Sequence, residues 1–296
     1  MVHGHYFDFT DAPELHMPRT GNADSTICVK MLSSPALFES YTLKRPWVPL
    51  SGQEGRYFSK TPFEEADEHF SWGLEIKEVL TLLWQPDNKT IFYAKGRYYT
   101  PSRLQFWIFH TFFPLVMQLS KHYHLLHVGA VELEGKPVLF SAPSFGGKST
   151  LTDYFIQKRH PLISDDSLAV KKQNGQFTVI PSYPFHRPYR EPESLGHKAA
   201  FFAQEAKPLY AVFILEKADE DANVTVIELK GIEKFKAIKE SAFIDFPFLK
   251  KEYFVFFSDL AQSVPVYRIG IPWDITKLEE VYQKINTLIK GGESTF

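Results

Sequence analysis

A single cysteine, Cys28, occurs among 296 residues. That count excludes an internal disulfide and a cysteine-built zinc knuckle, and it suits a reducing, cytoplasmic setting, with Cys28 read as a small buried apolar residue. Charge of one sign is equally scarce: 33 Lys and Arg stand against 35 Asp and Glu, and no long basic run appears. This argues against nucleic acid as a partner and favours a small or protein substrate. Long apolar runs are missing too. The most apolar stretch, Phe106 to Leu119, is broken by His110, Thr111 and Pro114 and falls short of the roughly 20 residues a membrane span requires. Residues Met1 to Pro13 carry His and Asp rather than a basic stretch and an apolar core, so no signal peptide is expected. Internal repeats and low-complexity tracts are absent.

What the chain has is apolar and aromatic content, 44% and 16%, enough for one large packed domain or two ordinary ones. The first hundred residues are rich in proline and aromatics and show little helical period. Segments such as Thr90 to Tyr99 read as strands with a turn at Gly96. Residues 1–113 are therefore expected to form a β-rich accessory domain, ending in a linking amphipathic helix over Ser102 to about His122 that Pro114 bends. The remainder, 114–296, alternates strand and helix in an α/β (mixed α+β) pattern. Leu125 to Leu133 and Pro137 to Ala142 flank a tight Glu134-Gly135 turn, and a helix is expected from Lys148 to about Arg159. Leu162 to Ser164 forms a short buried strand. A hairpin then follows around Asn174-Gly175, whose residues suit the positive φ angles of a type I′ turn. Further strands are expected at Leu209 to Leu215, Val224 to Leu229 and Val264 to Ile269. The chain closes on a helix opened by a Thr276/Glu279 capping box and ended by Gly291.

Chemistry concentrates between the second strand and its helix, at Ser144-Phe145-Gly146-Gly147-Lys148-Ser149-Thr150. A polyphosphate needs convergent backbone N–H donors, a helix N-terminus and a mobile cation. Gly146 and Gly147 let the backbone approach the phosphates, Lys148 reaches the outer ones, and the Ser149 hydroxyl can ligate magnesium. The full P-loop pattern is not met, because Ala142 stands where its first glycine belongs. Asp165 and Asp166 follow Lys148 by 17 and 18 residues, at the end of a strand. Acids so placed hold magnesium or accept a proton from an incoming hydroxyl. Adjacent carboxylates point to opposite faces of a continuing strand, so only a turn of the chain would bring both to the phosphates.

The order of a strand with His127, a hairpin, the Ser144 to Ser149 loop, a helix, and a strand ending in Asp165-Asp166 resembles HPr kinase/phosphorylase and its smaller relatives. A weaker likeness to lasso-peptide serine kinases runs on to the final helix. The resemblance implies a core of the HPr kinase/phosphoenolpyruvate carboxykinase type, ATP or another nucleoside triphosphate, and Mg2+. It implies Asp165 as general base, Lys148 on the β and γ phosphates, Ser149 and Asp166 at the metal, and His127 near the transferring phosphoryl group. The acceptor it implies is a hydroxyl, a Ser of a peptide or protein. The glycine-rich signature of true HPr kinases does not follow the paired Asp; Pro181 to Arg190 stands there, so an acceptor other than HPr is expected. Within that Pro-rich segment Arg187 and Arg190 are candidates to bind the γ-phosphate or a terminal carboxylate, a task that planar guanidinium forks suit.

Two other classes remain at this level. The altered loop also suits a nucleotide-binding regulatory module without phosphotransfer. A carboxykinase-like enzyme would want additional metal ligands, for which His160, His186 and His197 are available at irregular spacing. Assembly into a homo-oligomer is neither required nor opposed by the sequence.

Overall fold

A computed structural model describes residues 1–17, 19, 23–32, 36–187 and 191–291. The chain forms two compact units, one of Met1–Tyr123 with Tyr189–Gly196 and one of His124–Pro188 with His197–Phe296.

In the first unit an eight-stranded mixed sheet runs, in spatial order, His5–Phe9, Ser25–Met31, Thr90–Lys95, Leu80–Gln85, Trp72–Ile76, Gln53–Ser59 and Leu43–Lys44, with Val48–Leu50 also paired to Gln53–Ser59. Cys28 lies on its second strand and is half-buried rather than buried. The segment expected as one amphipathic helix is instead interrupted. Pro101–Phe106 and Phe113–Leu119 are α-helical, and Trp107–Phe112 between them forms wider π turns in which the Phe113 N–H reaches back five residues to the Ile108 carbonyl. The irregularity thus precedes Pro114, which sits in the first turn of the second helical stretch, where its missing N–H costs little. Nor is the helix two-faced. Trp107, Ile108, Phe109, Phe112 and Phe113 are all buried, with ring centroids of Phe112 and Trp72 4.6 Å apart and of Phe109 and Phe7 5.0 Å apart. Burial on all sides erases the polar stripe that marks a surface helix.

The second unit holds a six-stranded sheet in the order Leu162–Ser164, Gly129–Leu133, Lys136–Ser141, Ala211–Ala218, Val266–Pro272, Thr225–Glu228. Its three middle strands, from Lys136–Ser141 to Val266–Pro272, are mutually parallel, and the flanking pairs are antiparallel. Lys136–Ser141 is buried on both faces, which accounts for its unbroken apolar run. Val138 and Phe140 pack with Leu151 and Phe155 of the helix Lys148–Gln157 and with Val281, Ile285 and Ile289 of the helix Leu278–Gly291. Leu139 turns to the opposite face, against a four-stranded sheet and the helices Gly231–Lys239 and Lys250–Ser263. The hairpin joining Ser167–Gln173 to Gln176–Ile180 turns at Asn174 and Gly175, with φ of 51° and 79°, as that dipeptide predicts. The capping box is a different matter. Asp274 accepts the Thr276 N–H at 2.9 Å, and Glu279 reaches Lys158 at 2.6 Å instead of the backbone behind it. An Asp two residues upstream of Thr276 outcompetes the Glu for the free amide.

Within the first unit, the buried Glu193 accepts the Trp107 indole N–H at 2.7 Å and the Gln53 amide at 2.9 Å, and it pairs with Arg103 at 2.9 Å. Glu193→Ala strands a buried indole N–H and an arginine that has lost its carboxylate. The expected loss is about 3 kcal/mol of unfolding free energy in urea, with Glu193→Gln losing less. A loss under about 0.5 kcal/mol for the alanine variant would show that the contacts do not act as a clamp.

Candidate functional site

The loop between Ser141 and Lys148 lies at the C-terminal end of a parallel strand, the edge at which open α/β sheets bind ligands. Two glycines set its shape. A Cβ on Gly146 would lie 2.7 Å from the Ala142 methyl and 2.9 Å from the Pro143 carbonyl oxygen, so the Ala that replaces the usual glycine is tolerated because Gly146 has no side chain. Gly147 has φ of 86° and caps the helix that starts at Lys148. Phe145, at φ of 63°, adopts the same left-handed region without that freedom, and its ring is 81% exposed. Ser144 and Thr150 are exposed on either side, and Ser149 is half-buried. The Lys148 side chain is buried, its ammonium donating to the carbonyls of Ala142 at 2.7 Å and Pro143 at 3.3 Å. The lysine therefore lies folded into the loop, and the first-turn amides of a ten-residue helix stand at its mouth.

Asp165 and Asp166 occupy a corner. Leu162–Ser164 belongs to the six-stranded sheet and Ser167–Gln173 to the four-stranded one, so the chain changes sheets at the two carboxylates. The neighbouring strand makes the same crossing, from His124–His127 to Gly129–Leu133, and the Val128 N–H donates to the Asp166 carbonyl at 3.2 Å. The turn brings both acids to one place. His127 Nδ1 lies 3.4 Å from Asp166 Oδ1, and the Arg187 backbone N–H donates to Asp165 Oδ2 at 2.6 Å. Asp165 Oδ1 is buried with no hydrogen-bond partner. Burial pushes the Asp165 carboxyl up to about 7; the Arg187 amide opposes the shift, the Asp166 charge adds to it, and the nearby Ser149 hydroxyl opposes it. Ser149, Asp165, Asp166, His127 and Arg187 thus converge, with Lys148 one residue from Ser149. Arg187 enters first through its main chain, although its charge also acts on Asp165. Arg190 lies outside the described residues.

Tyr183 was not legible as a site residue. It is fully buried, and burial first, then the charges of Asp166 and Asp165, hold its hydroxyl well above the ordinary range. Only its place in the Pro-rich segment after the paired Asp hinted at it. A second omission is a cavity of about 230 Å³ beside the loop, bounded by Gly147, Thr150, Ile271, Trp273, Ile275 and Leu278. Among the described residues no three His, Cys, Asp or Glu side chains converge as a metal cluster, so His160, His186 and His197 form no joint site. His160 meets the Tyr282 hydroxyl at 3.1 Å and His186 meets Asp153 at 3.4 Å.

The second unit is thus a mixed α/β domain carrying a glycine-containing strand-loop-helix corner beside a carboxylate pair. No family model matches the chain, and no curated protein matches it. Among solved structures, the Hpr(Ser) kinase/phosphatase from Coxiella burnetii is similar at a TM-score of 0.35 and 15% identity, over 57% of this chain and 95% of that one.

Phe145→Gly relieves the left-handed backbone and should stabilise the protein by about 0.5–1 kcal/mol, read as a rise in thermal midpoint. A fall would mean that contacts of the ring outweigh the backbone cost.

Proposed function

We propose that the chain is a magnesium-dependent phosphotransferase that binds a nucleoside triphosphate on Ser144 to Thr150 and transfers its γ-phosphate to a hydroxyl, a Ser of a peptide or protein other than HPr. The observation that carries this reading is the unpartnered, buried Oδ1 of Asp165 placed beside Ser149, at the foot of the loop. A buried acceptor without a donor is costly unless a ligand supplies one, and an acceptor hydroxyl would do so. In the transfer, the hydroxyl oxygen bonds to the γ-phosphorus, the bond from that phosphorus to the β,γ-bridging oxygen breaks with its electron pair leaving on the nucleoside diphosphate, and the hydroxyl proton passes to Asp165. Lys148 would shift from its loop carbonyls onto the β and γ oxygens. The Ser149 hydroxyl and the Asp166 carboxylate are the groups that fit magnesium, a hard cation that takes oxygen ligands, keeps several waters and offsets phosphate charge when bound. His127 would hold Asp166 in place beside the phosphoryl group, and the Arg187 guanidinium would meet charge on the transferring group or on the acceptor.

Titration calorimetry with Mg·ATP and Mg·GTP tests the loop. Lys148→Ala should weaken binding by orders of magnitude, and equal affinity in wild type and variant would sink the assignment. Asp165→Asn is nearly isosteric and should keep nucleotide binding while transfer to a pool of Ser-containing peptides falls roughly 100-fold or more. Normal turnover would move the base elsewhere, first to Asp166. Saturable binding by wild type with no phosphopeptide would leave the regulatory module as the better reading.

A further inference from the structure

We propose that the cavity beside the loop is the seat of the nucleotide's base, with Trp273 as its stacking platform; the proposal rests on the nucleotide-binding reading above. Three observations place it there. The strand Val266–Pro272 runs parallel, through Ala211–Ala218, to the strand that enters the loop, so the turn after Pro272 emerges at the same sheet edge as Ala142 to Gly147. Trp273 flanks the loop: its indole lies 3.7 Å from where a Gly147 Cβ would stand, with no side chain between them. And the cavity opens past Thr150, one residue beyond Ser149.

The chemistry of a triphosphate gives that order meaning. With the outer phosphates on Lys148 and the inner ones on the following amides, the nucleoside leaves the loop on the Thr150 side. The surface it meets is apolar and aromatic, built by Ile271, Trp273, Ile275 and Leu278. Trp273 and Ile275 are 44% and 75% exposed, an unusual pair of large apolar groups to leave at a concave site without a ligand. The Lys217 ammonium, 4.8 Å from the indole centroid, steadies the ring by a cation–π contact.

Polar side chains that would read the edge of a base are few. Thr150 offers a hydroxyl, but the Asp274 carboxylate is already taken by the N–H and hydroxyl of Thr276, at 2.9 and 2.6 Å. The seat therefore selects a flat aromatic ring more than a pattern of donors and acceptors, and either purine fits it.

The test is calorimetric titration of wild type, Trp273→Ala and Trp273→Phe with Mg·ATP, Mg·GTP and Mg·tripolyphosphate, with Lys148→Ala as the loop control and thermal melts to check folding. Trp273→Ala should weaken ATP and GTP roughly 5- to 150-fold, the range that stacking of a base supplies, while tripolyphosphate binding is unchanged. Trp273→Phe should recover most of the loss, and wild type should hold ATP and GTP within about 10-fold of each other, a gap of about 1.4 kcal/mol. If Trp273→Ala binds ATP like wild type while Lys148→Ala does not, the base seat is wrong and the nucleotide reading stands. Equal losses for ATP and tripolyphosphate would make Trp273 a structural support of the loop. Weaker use of the peptide acceptor with intact ATP affinity would give the cavity to the acceptor. Wild type that binds neither ATP nor tripolyphosphate would overturn both readings.

Discussion

The second unit depends on a double crossing between sheets. Two antiparallel neighbours cross between the sheets at the same level in opposite senses, the strand through His127 from the four-stranded sheet to the six-stranded one and the strand through Asp165-Asp166 back again, tied by the Val128 N–H to the Asp166 carbonyl. The crossing breaks the alternation of side chains that a continuous strand imposes. It lets one carboxylate go inward and the other stay beside a histidine. The space it uses is tight: a Cβ on Gly129, just past the crossing, would come within 2.0 Å of the Thr152 hydroxyl oxygen on the loop helix. Close packing of this corner against that helix is what carries Ser149 to the foot of Asp165.

The loop solves a different problem. Its backbone must curl tightly enough to present amides, yet the chain lacks the first glycine of the usual pattern. The Ala142 methyl and the bare Cα of Gly146 share one space, so the substitution is absorbed locally instead of by widening the curl. What is not absorbed is Phe145, a bulky residue held at positive φ with its ring outside. Strain of this kind, about 1–3 kcal/mol per residue, persists where the surrounding structure over-determines the backbone.

Electrostatics divides the carboxylate pair into unlike members. Asp165 is nearly sealed from solvent, with one oxygen satisfied by a backbone amide and the Ser149 hydroxyl nearby, while Asp166 keeps solvent access and a histidine neighbour. Two identical residues in sequence are thereby set apart in chemistry, the arrangement from which acid–base roles are drawn. The fully buried Tyr183, in the Pro-rich segment, lies close enough to feel both carboxylate charges.

Local pattern by itself determined much of this protein. The strand-loop-helix corner, the Asn174-Gly175 hairpin, the short strand before the paired Asp and the closing helix follow from apolar period and turn chemistry, which act over a few residues. The glycines of the loop and the adjacent acids also stood out in the sequence, as residue types at close spacing that a short window can display. Tertiary structure alone decided the rest. The helix before the second unit shows no polar face because neighbours bury it on every side, and its π turns fall ahead of Pro114, where the bend was expected. Glu279 spends its charge on Lys158, across from the helix it was expected to cap. Whether Asp165 and Asp166 meet at one site turned on a change of sheet that no short window encodes. Trp273, 125 residues beyond Lys148 in sequence, reaches the loop only because parallel strands end at a common edge. Sequence period reports which residues are buried locally; which distant residues become neighbours is settled by the order and direction of strands.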